Sequence, residues 1–283
     1  MDIYHEKIDL NTVVENFKTQ KLTIGLVPTM GALHQGHLSI IKKALKENDK
    51  VIVSVFVNPT QFDNKDDLEK YPRNLETASQ LLRTVSKNNL IVYAPSIEDV
   101  YGNDIKASGF NFDGLELPME GKFRLGHFDG VGTVVKRLFE IVRPDNAYFG
   151  EKDFQQLMII KKMVEKLNLP VHIVACEIHR EKDGLAMSSR NMRLSPEQRN
   201  AAPFIYKTLL LAKEKFVNKS TNEVVEWVEK QFAKNDLLKL EYFTIAETST
   251  LQTLNRKSKD KSYRAFIAVY ADDIRLIDNI ALN

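Results

Sequence analysis

Val27-Pro28-Thr29-Met30-Gly31-Ala32-Leu33-His34-Gln35-Gly36-His37-Leu38 reads as an apolar strand, a loop of small residues, and the start of a helix that carries two histidines. Strand–loop–helix is where α/β proteins hold phosphates. The first helical N–H groups have no intrahelical partner, and the helix dipole puts positive potential there. Histidines at i and i+3 share one face of that first turn. Gly31 and Gly36 let a ligand approach the backbone closely. The stretch therefore predicts an α/β fold with a nucleotide-phosphate site over this loop. Plain helix capping by the histidines fits the same residues. Zinc fits less well, because the protease zinc helix needs i, i+4 histidines with an intervening glutamate.

Outward from this stretch, strands and helices alternate. Residues 23–27 form the strand, and Leu38, Ile41, Ala44 and Leu45 recur at helical spacing behind it. Residues 51–57 are nearly all β-branched or aromatic, the composition of a central parallel strand buried on both faces. A long polar loop over 58–70 leads to a helix with Leu75, Ala78, Leu81, Leu82 and Val85 as its stripe. Further strands are expected at 90–94, 147–149 and 171–176, with helices over 131–143 and 153–167. This order predicts a Rossmann-like, doubly wound parallel sheet. Such sheets bind ligands at the carboxyl ends of their strands, so His34, Asn58 and Gly150, each just past a strand, fall near one crevice.

The pattern changes after Arg190. Ser195-Pro196-Glu197-Gln198 and Ser220-Thr221-Asn222-Glu223 are capping boxes, the first opening a long helix to about Phe216. Strand-like runs at 240–246 and 264–271 follow, with a lysine-rich turn around 255–261. The expected organisation is an N-terminal domain over 1–178 and a smaller α+β domain over 179–283.

Composition bounds the function. The chain has 283 residues, 43% of them hydrophobic, and a net charge of +2. Acidic and basic residues are interleaved, as in Lys65-Asp66-Asp67-Leu68-Glu69-Lys70, which argues against a nucleic-acid surface. Asp66 and Asp67 are weak metal candidates in a charged loop. The lone cysteine, Cys176, stands in an apolar run and reads as a structural thiol. The first residues contain no hydrophobic signal region, and no apolar run reaches membrane-spanning length, so a cytoplasmic protein with no membrane contact is expected.

Three further motifs carry chemistry. Asn58-Pro59-Thr60-Gln61-Phe62 offers amides at a strand end, and Gln61 suits a carboxylate or hydroxyl. Asn-Pro is equally a turn starter. Phe149-Gly150-Glu151-Lys152-Asp153-Phe154-Gln155-Gln156 is again strand, glycine and helix start, where Lys152 adds to the positive potential. Asp153 reads as an N-cap or a ribose or metal contact, and Gln156 lies one turn beyond it. Gly184-Leu185-Ala186-Met187-Ser188-Ser189-Arg190-Asn191 brings hydroxyls and a guanidinium suited to triphosphate oxygens, and is also a plausible interdomain linker.

Together these motifs, with Gly121-Lys122-Phe123-Arg124-Leu125-Gly126-His127-Phe128, resemble the pantothenate synthetase (pantoate–β-alanine ligase) family of the class I synthetase and nucleotidyltransferase group. The resemblance implies a Rossmann-like N-terminal domain, a C-terminal domain covering the site, and a homodimer. It implies that ATP and (R)-pantoate form pantoyl adenylate and pyrophosphate with Mg2+, and that β-alanine then gives pantothenate and AMP. On the family pattern His37, His34 and Lys152 are catalytic. Met30, Gly31, Ala32, Leu33, His34, Gln35, Gly36, His37, Gly150, Glu151, Lys152, Asp153, His179, Met187, Ser188, Ser189 and Arg190 bind ATP. Gln61 contacts pantoate and the β-alanine position, Gln156 contacts pantoate, and Asn58 joins the substrate site. No protein ligand for a metal is implied. Leu125, His179 and Met187 depart from the proline, valine and leucine usual at those positions.

Overall fold

The computed structural model describes residues 1–61, 74–253 and 256–283. They divide into two compact units, one of Met1–Glu151 with Gln156–Glu177, the other of Lys152–Gln155 with Ile178–Asn283. The short segment Lys152–Gln155 thus groups with the C-terminal unit, although the linear reading puts it well inside the N-terminal domain.

The N-terminal unit is built on a six-stranded sheet. Its strands are β1 (Ile3–Tyr4), β2 (Ile24–Thr29), β3 (Lys50–Val55), β4 (Leu90–Tyr93), β5 (Asn146–Gly150) and β6 (His172–Cys176). They run in the order β1-β4-β3-β2-β5-β6, and every pairing is parallel. The strand runs expected from residue type are all present. Val51, Ile52 and Val53 are fully buried, as a strand covered on both faces requires. Strand β1 and the helix Lys7–Thr19 were not expected. The strand has only two residues, and the helix buries only Leu10 and Val14, so neither leaves a broad hydrophobic period.

Helix Gln35–Glu47 turns Leu38, Ile41 and Ala44 into a core shared with Val27, Val51, Val53, Leu82, Val92, Tyr148 and Cys176. Helix His127–Val142 buries Val134, Val135, Leu138 and Phe139, the face its spacing predicts, and Val131 with them. The strand order reverses between β2 and β5. These two strands pair only at Gly25–Asn146 and Leu26–Ala147, so their carboxyl-terminal halves part. An opening at the reversal point of a doubly wound sheet is where such folds seat a nucleotide.

The C-terminal unit packs helices on an antiparallel sheet of β7 (Lys239–Glu247), β8 (Tyr263–Ala271) and β9 (Ile274–Ala281), in that order. Its core includes Leu209, Val224, Val228, Ile245, Ile267 and Val269. Both capping boxes form: Ser195 with Gln198, and Ser220 with Glu223. The single helix expected up to Phe216 is two, Pro196–Ala201 and Phe204–Asn218. Pro203 sits between them, where a missing N–H and the ring's clash with the preceding turn interrupt a helix. Strand β9 was also unexpected, because its Asp278 and Asn279 look like surface residues and are buried.

Candidate active site

In the N-terminal unit the loop after β2 is drawn tight by Thr29. Its hydroxyl donates to the Ser54 carbonyl at 2.7 Å and accepts from the Gly31 N–H at 3.3 Å. Gly31 has φ +84° and Ala32 has φ +46°, so the chain passes twice through the left-handed region before the helix. Only glycine does so without strain, and Ala32 carries a cost of about 1 kcal/mol or more. Strain of this kind concentrates where a backbone is shaped for a ligand.

His34 is the extended residue before helix Gln35–Glu47, whose first turn contains no acidic side chain to neutralise the dipole. The His34 N–H donates to Nδ1 of His37 at 3.3 Å. An Nδ1 that accepts carries no proton, so the neutral His37 ring keeps its hydrogen on Nε2 as a donor. The two imidazoles lie together, with centroids 4.0 Å apart and planes tilted by 38°. Met30, Ala32, Leu33, His34 and His37 are half-buried, Gly31 and Gly36 are buried, and Gln35 is exposed.

Asn58, just past β3, is 1% exposed. Its Nδ2 donates to Gln61 Oε1 and to the Gly130 carbonyl, each at 3.1 Å. Its Oδ1 accepts from the Tyr101 hydroxyl at 2.6 Å and from the Thr60 N–H and hydroxyl at 3.4 and 3.1 Å. Burial pushes the Tyr101 phenol above its ordinary range, which keeps it protonated as the donor. Because Asn58 occupies Oε1 of Gln61, the Gln61 amide presents Nε2, which lies 2.8 Å from Met30 Sδ.

The Arg124–His127 pair supports the same turn from below. His127 Nδ1 lies 2.8 Å from the Gln61 carbonyl and so must be the protonated nitrogen. Its Nε2 faces Arg124 Nη1 at 3.1 Å and accepts from it. Gly130 completes the fit: a Cβ there would stand 2.3 Å from the Thr60 carbonyl oxygen. His127, Arg124 and Gly130 were missed as site-forming residues. The signal was the quoted 121–128 stretch, whose arginine and histidine were read only as part of a family match. Leu125, the proline-to-leucine departure, is 86% exposed. Phe62, Asp66 and Asp67 lie outside the described residues.

Gly150 ends β5, and Glu151 and Gln156 follow as half-buried residues of the same unit. Seen within this unit, the loops after β2, β3 and β5 all stand at the carboxyl edge of the sheet. His34, His37, Gln61 and Gly150 are carried by them.

In the C-terminal unit, Lys152 is half-buried, with its ammonium 3.8 Å from Asp153 Oδ1. The His179 carbonyl accepts from the Met187 N–H at 3.0 Å, closing a hairpin whose arms also meet at Arg180 and Ala186. Ser188 then caps the short turn Ser189–Arg193, its hydroxyl accepting from the Arg190 N–H at 3.3 Å. Asn191 binds this turn to the hairpin, donating to Glu181 Oε1 at 3.0 Å and to the Ala186 carbonyl at 3.1 Å. Arg199 locks Glu181 and Asp183, at 2.6 Å each. The segment that sequence alone left open as a linker is therefore a pinned turn.

A family model described as pantoate-beta-alanine ligase matches residues 2–281. The chain is 56% identical to the pantothenate synthetase of Christiangramia forsetii over 283 residues, 100% of both chains. It is 54% identical to that of Flavobacterium psychrophilum over 282 residues, again 100% of both. Among solved structures it is similar to a crystal structure of pantothenate synthetase from Thermus thermophilus, with TM-score 0.89 and 37% identity over 100% of this chain and 99% of that one. It is also similar to a pantoate-beta-alanine ligase from Francisella tularensis complexed with beta-gamma ATP and beta-alanine. That match has TM-score 0.80 and 37% identity over 100% of this chain and 98% of the other.

Proposed function

Because this chain belongs to the pantoate-beta-alanine ligase family, we infer that it joins (R)-pantoate to β-alanine with ATP, giving pantothenate, AMP and pyrophosphate. A pantoate carboxylate oxygen attacks the α-phosphorus and the bond to pyrophosphate breaks, leaving pantoyl adenylate. The β-alanine amine then attacks the acyl carbon, the amide forms, and AMP leaves with the acyl–oxygen electron pair.

The residue roles rest on the family pattern; the hydrogen bond from the His34 N–H to His37 Nδ1, one half of a capping box at this helix start, is compatible with them. It leaves the His37 proton on Nε2, at a helix start that holds no acid. His37 is thus a donor to phosphate oxygens as charge builds on them, with the helix N–H groups behind it. On the family pattern, Lys152 and Arg190 are cations and Ser188 and Ser189 hydroxyls for ATP phosphates. Ser188 accepts from the Arg190 N–H and keeps its own O–H to donate. Preorganised donors aimed at developing charge are usually the largest catalytic contribution. His179 and Met187 set the adenine side of the site through their backbone.

Gln61 Nε2 is the donor to pantoate, because Asn58 fixes the other end of its amide. Gln156 is the second pantoate contact. Among the described residues no group of three or more His, Cys, Asp and Glu side chains is placed to hold a metal. The resemblance implies magnesium with ATP as part of the substrate, and Asp153 is a carboxylate beside Lys152. No helix among the described residues is long and apolar enough to cross a membrane. A homodimer, implied by the resemblance, and a cytoplasmic location, expected from the sequence, complete the reading.

The assay follows the two half-reactions. Pyrophosphate is expected with ATP and pantoate, and AMP with an amide product only after β-alanine is added. A product that retains the adenylyl group would point instead to a nucleotidyltransferase. Binding of ATP without pyrophosphate release would point to a regulatory module. Lys152→Ala and His37→Ala are expected to lower turnover on the order of 10²–10³-fold. Adenylate formation at the parent rate in both variants removes the assigned roles.

A further inference from the structure

Strand β9 buries two polar neighbours, Asp278 at 4% exposed and Asn279 at 2%. Each holds a different piece of the ATP-binding sequence. The Asp278 carboxylate takes both guanidinium nitrogens of Arg180, at 2.6 and 2.9 Å. Arg180 stands on the hairpin between His179 and Met187 and stacks on the Tyr206 ring, 3.6 Å from its centroid. Asn279 Nδ2 donates to the carbonyl of Lys152 itself at 2.9 Å. The Asn279 amide cannot be turned over, because its Oδ1 accepts from Arg264 Nη1, and a guanidinium offers no acceptor. Arg264 in turn lies on the Phe154 ring, 4.0 Å from its centroid.

A buried arginine, aspartate and asparagine are a costly way to hold a strand that apolar residues would hold as well. What the polar set adds is a defined position for one backbone carbonyl. Lysine has a long flexible stem, so the place of its ammonium is limited first by where its backbone is fixed. We propose that Asn279 is a positioning residue for Lys152, anchoring the Lys152 carbonyl so that the ammonium meets the ATP phosphates. The proposal rests on the reading of Lys152 as a phosphate-binding cation. It extends that reading to a residue 127 positions away in sequence.

Asn279→Asp separates this role from simple packing. The aspartate keeps the shape and keeps an oxygen for Arg264, but it has no donor for the Lys152 carbonyl. Pyrophosphate release with ATP and pantoate is measured for the parent, Lys152→Ala, Asn279→Asp and the double variant, alongside melting temperature and the KM for β-alanine. Asn279→Asp is expected to lower the rate of adenylate formation about tenfold or more, as a displaced catalytic group does. The melting temperature falls with the lost buried hydrogen bond, so the separation from packing rests on the double-variant cycle and on the β-alanine KM, which stays at the parent value. In the Lys152→Ala background the second substitution costs no more than about twofold further, because its target is gone. A parent rate in Asn279→Asp, or an equal loss in both backgrounds, overturns the proposal while leaving Lys152 in place. A parent rate in Lys152→Ala overturns the reading of Lys152 and the proposal with it. If Asn279→Asp does not fold, Asn279→Leu is taken through the same cycle with the same criteria.

Discussion

Asn58 and Gln61 show how one side chain is spent on aiming another. The Asn58 amide has two donor hydrogens and two lone pairs, and its five contacts use all of them inside the protein. It has nothing left for a ligand, so on the proposed reading its part is to set Gln61. Asn58→Ala is therefore expected to raise the KM for pantoate by about 5–30-fold, the value of one or two kcal/mol of lost orientation. Gln61→Ala does the same, and the double variant is no worse than the stronger single. Steady-state kinetics on the three variants check this, and additive losses would show that Asn58 acts elsewhere. The polar residues at the strand ends were legible in the sequence, since Asn58, Gln61 and His37 announce polar chemistry there. Their division of labour was not. Lone pairs are allotted by partners such as Tyr101 and Gly130, which stand far along the chain and carry no local signal.

Among the elements, the helix His127–Val142 matters through one residue without a side chain. Gly130 lets the helix touch the Pro59–Gln61 turn, and a methyl group there would meet the Thr60 carbonyl oxygen at 2.3 Å. Gly130→Ala is expected to cost about 1–3 kcal/mol, seen as a lower melting temperature together with a higher pantoate KM. Gly109→Ala, where a Cβ meets nothing within 4 Å, serves as the control and leaves both unchanged. Elements with a strong period were readable. The strands of the parallel sheet are runs of β-branched residues, and both capping boxes stand in plain sequence. Elements set by tertiary contact were not. Strand β1 exists because Ile3 and Tyr4 pair with Val92 and Tyr93. Strand β9 hides its buried Asp278 and Asn279 behind a polar appearance. Pro203 divides a helix whose apolar spacing otherwise runs on.

Across the whole chain, each unit carries its own hydrophobic cluster. Cys176 reports on the N-terminal one. Burial pushes its thiol up to about 11, only partly offset by Lys43, and Glu47 and Glu151 push the same way. At about pH 8 the thiol is expected to resist maleimide until that cluster opens. Ile41→Ala, at a fully buried position in the same cluster, is expected to cost about 2–5 kcal/mol and to speed labelling at least about tenfold. Mass spectrometry of timed samples reads the rate, and unchanged labelling would mean that the thiol is reached without opening the core. The grouping of Lys152–Gln155 with the C-terminal unit bears on how such genes recombine. A crossover at residue 178 looks like a clean seam, yet it would pair Lys152 and Phe154 from one parent with Asn279, Arg264 and Phe266 from another. Chimeras joined there must inherit both stretches from compatible parents, so the seam that suits a designer is not the one the packing respects.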